Sequence, residues 1–230
     1  MRSVLGVDGC NGGWIAASRE RGTIHCRRIA RLEELFQAEP PRVVAIDIPI
    51  GLPERGARAC DVAARALLGA RRSSVFPAPL RALLAASSYE DASRLRERLE
   101  RKRISKQAWL ILPKIAEVDR LLRRSADART ATHEVHPELC FYYLNDERPM
   151  RESKRKSAGQ VERLALLRKW CGAAVERALA DRARLTCAAD DVLDAFAALW
   201  TAERIAAGNA LVHPANPELD AHGLPMSISA

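Results

Sequence analysis

The stretch VLGVDGCNGGWIAAS, residues 4–18, decides the fold class. Residues 4–7 form a short apolar run that predicts a strand, and Asp8 stands where this strand ends. The glycines that follow favour a tight turn, and residues 14–18 predict a second strand. A third strand is predicted over 23–29, so the chain begins as an antiparallel meander.

A second apolar stretch, RVVAIDI at residues 42–48, predicts a strand that is buried on both faces of a sheet. A short helix over 31–37 precedes it, and two prolines end that helix. Strand character returns over 130–136, and helices are predicted over 160–180 and 190–207. Elements of these types in this order favour an α/β fold with a mixed sheet.

The segment from about 55 to 129 is rich in Arg and mostly helical in pattern, with breaks at VFPAP (75–79) and at Pro113. No flexible linker flanks it, so we predict one domain, residues 1–230, that carries a helical insertion at about 55–129. Residues 226–228 predict an edge strand.

The composition limits the class of protein. The 230 residues have a net charge of +8, which is compatible with binding phosphate or nucleic acid, although a general bias toward Arg explains it equally well. Aromatic residues make up 5%, which argues against a groove that stacks successive bases on Phe and Tyr. The six cysteines contain no C-x-x-C pair, which argues against a zinc ribbon. With no secretory signal and no apolar run of membrane-spanning length, we expect a cytoplasmic protein with free thiols and no membrane partner.

Acidic residues stand where predicted elements end. Asp8 ends the first strand, and Asp47 stands near the end of the buried strand. Asp191 and Asp194 lie near the start of the last helix, where their i,i+3 spacing puts them on one face. If the first and fourth strands are adjacent and parallel, Asp8 and Asp47 point from the same sheet edge, and a docked helix adds Asp191 or Asp194.

Clustered carboxylates repel one another and are tolerated chiefly when a hard cation neutralises them, so the pattern predicts Mg²⁺ or Mn²⁺. Other roles stay open for single residues. Asp8 before glycine is also an ordinary turn residue, and Asp191 suits the first turn of a helix. Asp47, inside an apolar run, must be paired, liganded or expelled into a loop. Asp194, one turn further and among apolar residues, is harder to explain as a helix-end residue.

Glu134 lies within a predicted strand and is flanked by His133 and His136. It is either an exposed edge-strand acid or a further metal ligand or water-orienting base, in which case His136 and Glu138 belong to the same site. Two histidines and an acid also raise the question of zinc, but His-x-x-His on a strand is a weak signal for it.

Basic and hydroxyl residues along the chain are candidate contacts to phosphate or nucleic acid. They are Arg71, Arg72, Ser73, Ser74, Lys106, Lys154 and Lys156. Runs of charge are more often a solvated face, but RRSS at 71–74 is the least typical of a helix surface. Its guanidinium and hydroxyl groups precede a Pro-bracketed loop, which suits binding of an anion.

Five ordered motifs resemble those of a known family and together cover nearly the whole chain. They are GVDGCNGGW (6–14), AIDIPIGL (45–52), RRSSVF (71–76), EVHPE (134–138) and DDVLDA (190–195). The chain is similar to the prokaryotic family called domain of unknown function 429, whose members are predicted ribonuclease H-like nucleases.

The resemblance implies a five-stranded mixed sheet with catalytic acids on the first strand, the fourth strand and a late helix. Asp8 and Asp47 match the first two positions. The pair Asp191 and Asp194, followed by Ala195, looks like the paired acids of Holliday-junction resolvases. Those enzymes usually place Glu at the fourth strand, so Asp47 is a departure and their substrate geometry need not transfer.

Three functions fit this pattern. The first is a metal-dependent nuclease in which Asp8, Asp47, Asp191 and Asp194 hold the ions, with Glu134 as a further catalytic acid. The second is a small-molecule phosphotransferase or phosphohydrolase related to sugar kinases and actin-like ATPases, for which 230 residues is short. The third is a nucleic-acid-binding protein without catalysis, against which the retention of all four acids speaks. The oligomeric state stays open, a homodimer included.

Overall fold

The computed structural model describes residues 2–230. One sheet contains the strands β1 (Val4–Cys10), β2 (Gly13–Glu20), β3 (Thr23–Ile29), β4 (Val43–Ile46) and β5 (Thr132–Glu134). Their spatial order is β3-β2-β1-β4-β5. The first three strands form an antiparallel meander, while β4 runs parallel to β1 and β5 runs parallel to β4. The predicted α/β class with a mixed five-stranded sheet is therefore confirmed, and the order is consistent with a ribonuclease H-like fold.

Helices flank this sheet throughout the described part of the chain. They are α1 (Ala59–Leu68), α2 (Tyr89–Glu100), α3 (Lys106–Arg124), α4 (Ala126–Ala131), α5 (Pro137–Leu144), α6 (Ser157–Cys171), α7 (Ala174–Ala180), α8 (Arg182–Leu185) and α9 (Ala189–Ala207). Two short strands, β6 (Val212–His213) and β7 (Ile228–Ser229), form a separate antiparallel pair. Within residues 2–230, none of the helices combines the length and the apolar character needed to cross a membrane.

One face of the sheet is covered by α9, which lies directly on β1. Gly6 allows this approach, because a Cβ at that position would lie 2.0 Å from the backbone nitrogen of Leu199. Buried side chains such as Phe196 of α9 and Ile15 of β2 share the same apolar core. The close contact at Gly6 brings the first turns of α9 next to the carboxyl end of β1.

The other face of the sheet is covered by α3. Its buried residues Ile115, Val118 and Leu122 join a second apolar core that includes Val7 of β1 and Ile46 of β4. Four helices, α1 to α4, lie between β4 and β5, in the part of the chain where the insertion was predicted. Because α3 packs on the sheet, the segment between β4 and β5 covers one face of the sheet.

Pro113 does not break a helix, which corrects the sequence prediction, because it lies inside α3. A proline in a helix interior removes one backbone hydrogen bond and costs about 3 kcal/mol. The three buried apolar residues that follow it, Ile115, Val118 and Leu122, pack against the sheet and make continuation of the helix favourable.

The other predicted boundaries shift for local reasons. The helix predicted over 160–180 is two helices, α6 and α7, which Gly172 separates with a φ of 60°. The strand predicted over 130–136 is only β5, since α4 extends to Ala131. Residues 31–37 contain a short 3-10 helix, Leu32–Phe36.

Candidate functional site

A cleft of about 450 Å³ opens at the carboxyl-terminal ends of β1 and β4. Its floor contains Asp8 and Asp47, and one wall is a face of α3. A second wall comes from Arg71, from residues 73–76 and from the loop at 153–155. In open α/β sheets this edge is where ligands bind, because the loops after the parallel strands meet there.

Three predicted acids lie close together: Asp8 and Asp47 line the floor, and Asp194 lies beside them. Asp8 lies near the end of β1, and Asp47 follows β4 with its N–H donating to the carbonyl of Val7 over 3.0 Å. Asp194, in the second turn of α9, is 2% exposed. Burial raises the pKa of Asp8 well above its ordinary value, and the carboxylates of Asp194 and Asp47 raise it further. The predicted juxtaposition of β1, β4 and α9 is therefore present in the structure.

Lys154 places an ammonium group among these carboxylates. Its Nζ donates to Oδ2 of Asp194 over 2.5 Å. The pKa of Lys154 is raised because Asp194 and Asp47 stabilise its charged form, although burial acts in the opposite direction. The sequence placed Lys154 in a basic loop, but its ion pair with Asp194 joins residues that are distant in the chain.

Asp191 also stabilises the start of α9. Its Oδ2 accepts the backbone N–H of Ala188 over 2.9 Å and so caps the helix. The same carboxylate also contributes to the raised pKa of Asp8. Asp191 therefore lies close to the floor acids while it stabilises the end of the helix that carries Asp194.

Glu134 is buried, so the interpretation as an exposed edge-strand acid is wrong. Both its carboxylate oxygens accept from the Arg58 guanidinium over 2.7 Å, and Oε2 also accepts the N–H of Ile50 over 2.6 Å. Burial raises the pKa of Glu134 to about 7, while Arg58 acts to lower it. Arg58 also binds Asp61, with 2.6 Å between Nη2 and Oδ1. A metal-ligand role for Glu134 would require it to leave this network.

Arg71 reaches the cleft from the wall that the RRSS motif forms. Its Nε donates to Oε1 of Glu138 over 3.1 Å, and Glu138 in turn accepts two bonds of 2.7 Å from Arg163. Ser73 and Ser74 line the same cleft, and the hydroxyl of Ser74 donates to the carbonyl of Arg71 over 2.7 Å. The guanidinium of Arg71 is thus oriented by a buried carboxylate.

The remaining predicted phosphate contacts lie away from this cleft. Arg72, Lys106 and Lys156 are exposed and do not line it. Lys156 pairs with Glu152, four residues earlier in the same loop, at 2.9 Å. Charge alone does not reveal which side of a loop or turn faces a cleft.

Several cleft residues were not found from the sequence. Lys114 of α3 lines the cleft, with its Nζ 4.2 Å from the centre of the Trp14 ring and donating to the carbonyl of Gly13. Its position seven residues after Gln107, which also faces the cleft, is the helical spacing that could have indicated a shared face. Arg58, and Arg163 behind the cleft, were not found either, because Glu134 and Glu138, the acids that they bind, lie 76 and 25 residues away in the chain.

The donor types at the floor suit a hard divalent cation, since Mg²⁺ and Mn²⁺ prefer carboxylate oxygens. Within residues 2–230, however, no three His, Cys, Asp or Glu side chains have the arrangement of a metal-ligand set. Lys154 supplies the positive charge beside Asp194 instead. The residues therefore fit a cation in chemistry and charge, provided that Lys154 moves when the ion binds.

The fold and the cleft define an α/β protein of ribonuclease H-like sheet order with an acid cluster at the carboxyl edge of its sheet. The family described as Protein of unknown function (DUF429) matches residues 6–219, and the chain belongs to this family. No curated protein and no solved structure matches the chain.

Proposed function

We propose that this protein is a metal-dependent nuclease that hydrolyses phosphodiester bonds in nucleic acid. One observation carries the proposal: Asp8 and Asp47 line a cleft whose walls present Arg71 and Lys154, and the buried Asp194 lies next to them in an ion pair with Lys154. Buried carboxylates that repel one another are the arrangement a divalent cation relieves, and cationic walls attract phosphates.

Asp8, Asp47 and Asp194 are the residues that would hold Mg²⁺ or Mn²⁺, with Asp191 at their side. When bound, the ion would lower the pKa of a water molecule and stabilise charge on the leaving oxygen. The backbone bond between Asp47 and Val7 keeps two of these carboxylates in a fixed relation. The packing of α9 on Gly6 fixes the third.

Arg71 is the residue best suited to bind the phosphate. Its Nε is held by Glu138, so the rest of its guanidinium is available to phosphate oxygens with little loss of side-chain freedom. Lys154, which is 41% exposed, can exchange Asp194 for a phosphate oxygen when the ion arrives. The same ammonium would then neutralise the substrate.

The test is an incubation of the purified protein with Mg²⁺ or Mn²⁺ and a panel of single-stranded, duplex, hybrid and branched nucleic acids. We expect Asp8→Asn and Asp47→Asn each to lower the cleavage rate by at least about 100-fold, because even residues behind metal ligands change activity by 10- to 100-fold. Asp146→Asn is the matched control. Asp146 is exposed at a left-handed backbone position, which Asn tolerates, and its substitution should leave the rate unchanged.

Equal cleavage by the wild type and Asp8→Asn on every substrate would contradict the proposal. Turnover of ATP or of a small phosphate ester that Asp8→Asn abolishes, without cleavage of nucleic acid, would favour a phosphotransferase or phosphohydrolase. Binding of nucleic acid without turnover would favour a protein that has kept the fold and lost catalysis.

A further inference from the structure

Two exposed apolar side chains lie at the mouth of the cleft. Phe76 is 47% exposed and Leu110 is 74% exposed, and both line the same cavity as Asp8 and Asp47. Among the large apolar side chains exposed within residues 2–230, Phe76 is the one aromatic residue. Exposed apolar surface that borders a polar cleft indicates a ligand with an apolar part.

Phe76 is held out by a rigid backbone. The carbonyl of Val75 accepts from Arg65 over 2.7 Å, and the N–H of Ala78 donates to the buried Asp61 over 3.0 Å. The intervening Pro77 also restricts the backbone between these anchors. The ring of Phe76 is therefore presented to the cleft by a fixed segment, at little entropic cost to a ligand that packs on it.

The wall formed by α3 combines apolar and hydrogen-bonding groups. Gln107, Leu110 and Ile111 line the cleft at the spacing of one helical face of α3. The amide of Gln107 offers both donor and acceptor groups to the edge of a ligand. These lining groups suit a flat apolar ligand with a polar edge.

We propose that the cleft binds one unpaired nucleotide, with the base against Phe76 and Leu110 and a phosphate toward Arg71. The charges carry the orientation, because Arg71 attracts the phosphate while the apolar pair receives the base. This inference rests on the proposed nuclease function for its reaction. It adds the substrate class, which is nucleic acid without a paired strand at the cleavage site.

The cleft suits a single nucleotide, and packing on its aromatic residue requires the base to be unpaired. Its volume of about 450 Å³ lies within the range of small-ligand pockets, about 300–1,000 Å³. A base in a duplex is stacked on both faces and paired at its edge, so it can pack on Phe76 only after it leaves the helix. One aromatic ring stacks one base, which agrees with a chain that is too poor in aromatic residues to stack a run of them.

The experiment measures binding to the full-length wild type in EDTA, so that cleavage does not contribute. The probes are a fluorescent dT8, a fluorescent abasic strand of the same length and charge, and a blunt duplex of eight base pairs. We expect dT8 to bind at least 10-fold more tightly than either of the other two. Unlabelled dTMP added as a competitor shows whether a free nucleotide suffices or a strand is required.

Phe76→Ala should weaken dT8 binding by about 5- to 150-fold, the range measured when one stacked base loses its aromatic partner. Leu110→Ala should also weaken dT8 binding. Phe76→Trp should bind dT8 as tightly as the wild type, because it keeps an aromatic ring at this position. Val62→Ala is the matched control, because Val62 is an exposed apolar residue of α1 that does not line the cleft. It should not change the affinity.

Equal affinity for dT8 and the abasic strand, tighter binding of the duplex, or unchanged binding by Phe76→Ala would each overturn the inference. These results do not depend on catalysis. If dT8 binds through Phe76 but no nucleic acid is cleaved in Mg²⁺, the nuclease proposal fails and the nucleotide site stands. If duplex and single strand are cleaved equally and Phe76→Ala has no effect, the nucleotide site is wrong and the nuclease proposal stands.

Discussion

Two groups of buried acids lie at the cleft, and they differ in the positive charge that is paired with them. Beneath one wall, Arg58 binds both Glu134 and Asp61, and every one of these side chains is buried. A similar arrangement holds Glu138 between two guanidinium groups. At the floor, the ammonium of Lys154 is bonded to Asp194, and within residues 2–230 Asp8 and Asp47 form no ion pair.

The acids beneath the wall show that this fold can pair a buried carboxylate with arginine. The floor acids, at the same edge of the sheet, are left close together with raised pKa values. Burial of like charges lowers stability, and such an arrangement is typical of functional sites rather than of structural ion pairs. We therefore assign the acids that are paired with arginine to the stability of the fold, and the floor acids, which have less compensating positive charge, to the proposed chemistry.

The largest expected effect is on the paired acids. Arg58→Met should lower the free energy of unfolding by about 3–5 kcal/mol, because it leaves Glu134 and Asp61 buried without their cation. Urea unfolding monitored by circular dichroism measures the change. The matched control is Arg148→Met. Arg148 is 70% exposed in its pair with Asp146, and such surface pairs contribute about 0–1 kcal/mol.

A loss below about 1 kcal/mol for Arg58→Met would show that the fold does not depend on this pairing, and the contrast with the floor would disappear. If Arg58→Met keeps the sheet and loses only the structure of the cleft, the effect is confined to the cleft walls. Far-ultraviolet circular dichroism shows whether the variant keeps its secondary structure.

A smaller effect on the free energy of unfolding is expected at Asp220. The pKa of Asp220 is lowered, whereas that of Asp8 at the floor is raised, so their contributions to stability depend on pH in opposite directions. Burial acts to raise the pKa of Asp220, but the N–H groups of Leu224, His222 and Leu52 and the guanidinium of Arg81 lower it below its ordinary value. A carboxyl whose folded-state pKa is lowered stabilises the fold above its unfolded pKa of 3.8, and this stability is lost as the pH falls.

Asp220→Asn should therefore cost about 1.5–3 kcal/mol at pH 7, the range for hydrogen bonds to charged groups. The difference from the wild type should shrink as the pH falls below 3.8. Urea midpoints measured from pH 7 to pH 2.5 give this difference. A cost that stays constant over the whole range would show that the charge of Asp220 contributes nothing.

Much of the fold follows from local patterns in the sequence. The apolar run at 42–48 predicts a central strand, and the glycines after Asp8 predict the turn that starts the meander. Gly172 and Pro113 were misjudged because a single residue does not show what its neighbours pack against. The apolar residues after Pro113 outweigh its effect through contacts with the sheet, which the local sequence does not specify.

The candidate site was less accessible to sequence reasoning. Acids at strand ends meet because parallel strands end at one edge, so Asp8 and Asp47 could be placed together. The partners of Glu134 and Asp194 could not be assigned, since Arg58 and Lys154 reach them through the tertiary fold. Sequence patterns show which acids are unusual, but only packing shows which of them are paired.

The smallest expected effect is a gain in stability at the floor. Asp8→Asn should raise the free energy of unfolding in EDTA by about 0.5–2 kcal/mol, because it keeps the side-chain shape and removes one of several repelling charges. The gain should be larger when Lys154→Met is already present, since the floor then lacks its ammonium. Urea unfolding of the two single variants and the double variant measures this coupling.

Lys156→Met provides the comparison within the same loop. Lys156 pairs with Glu152 and does not line the cleft, so its effect should add to that of Asp8→Asn within about 0.3–0.5 kcal/mol. If Asp8→Asn instead destabilises the metal-free protein, Asp8 is a structural residue and the floor acids are paired as well as those beneath the wall. A gain that couples to Lys154 and not to Lys156 would show that Lys154 balances the whole cluster, and that a bound cation must take over this charge before Lys154 can move to a phosphate.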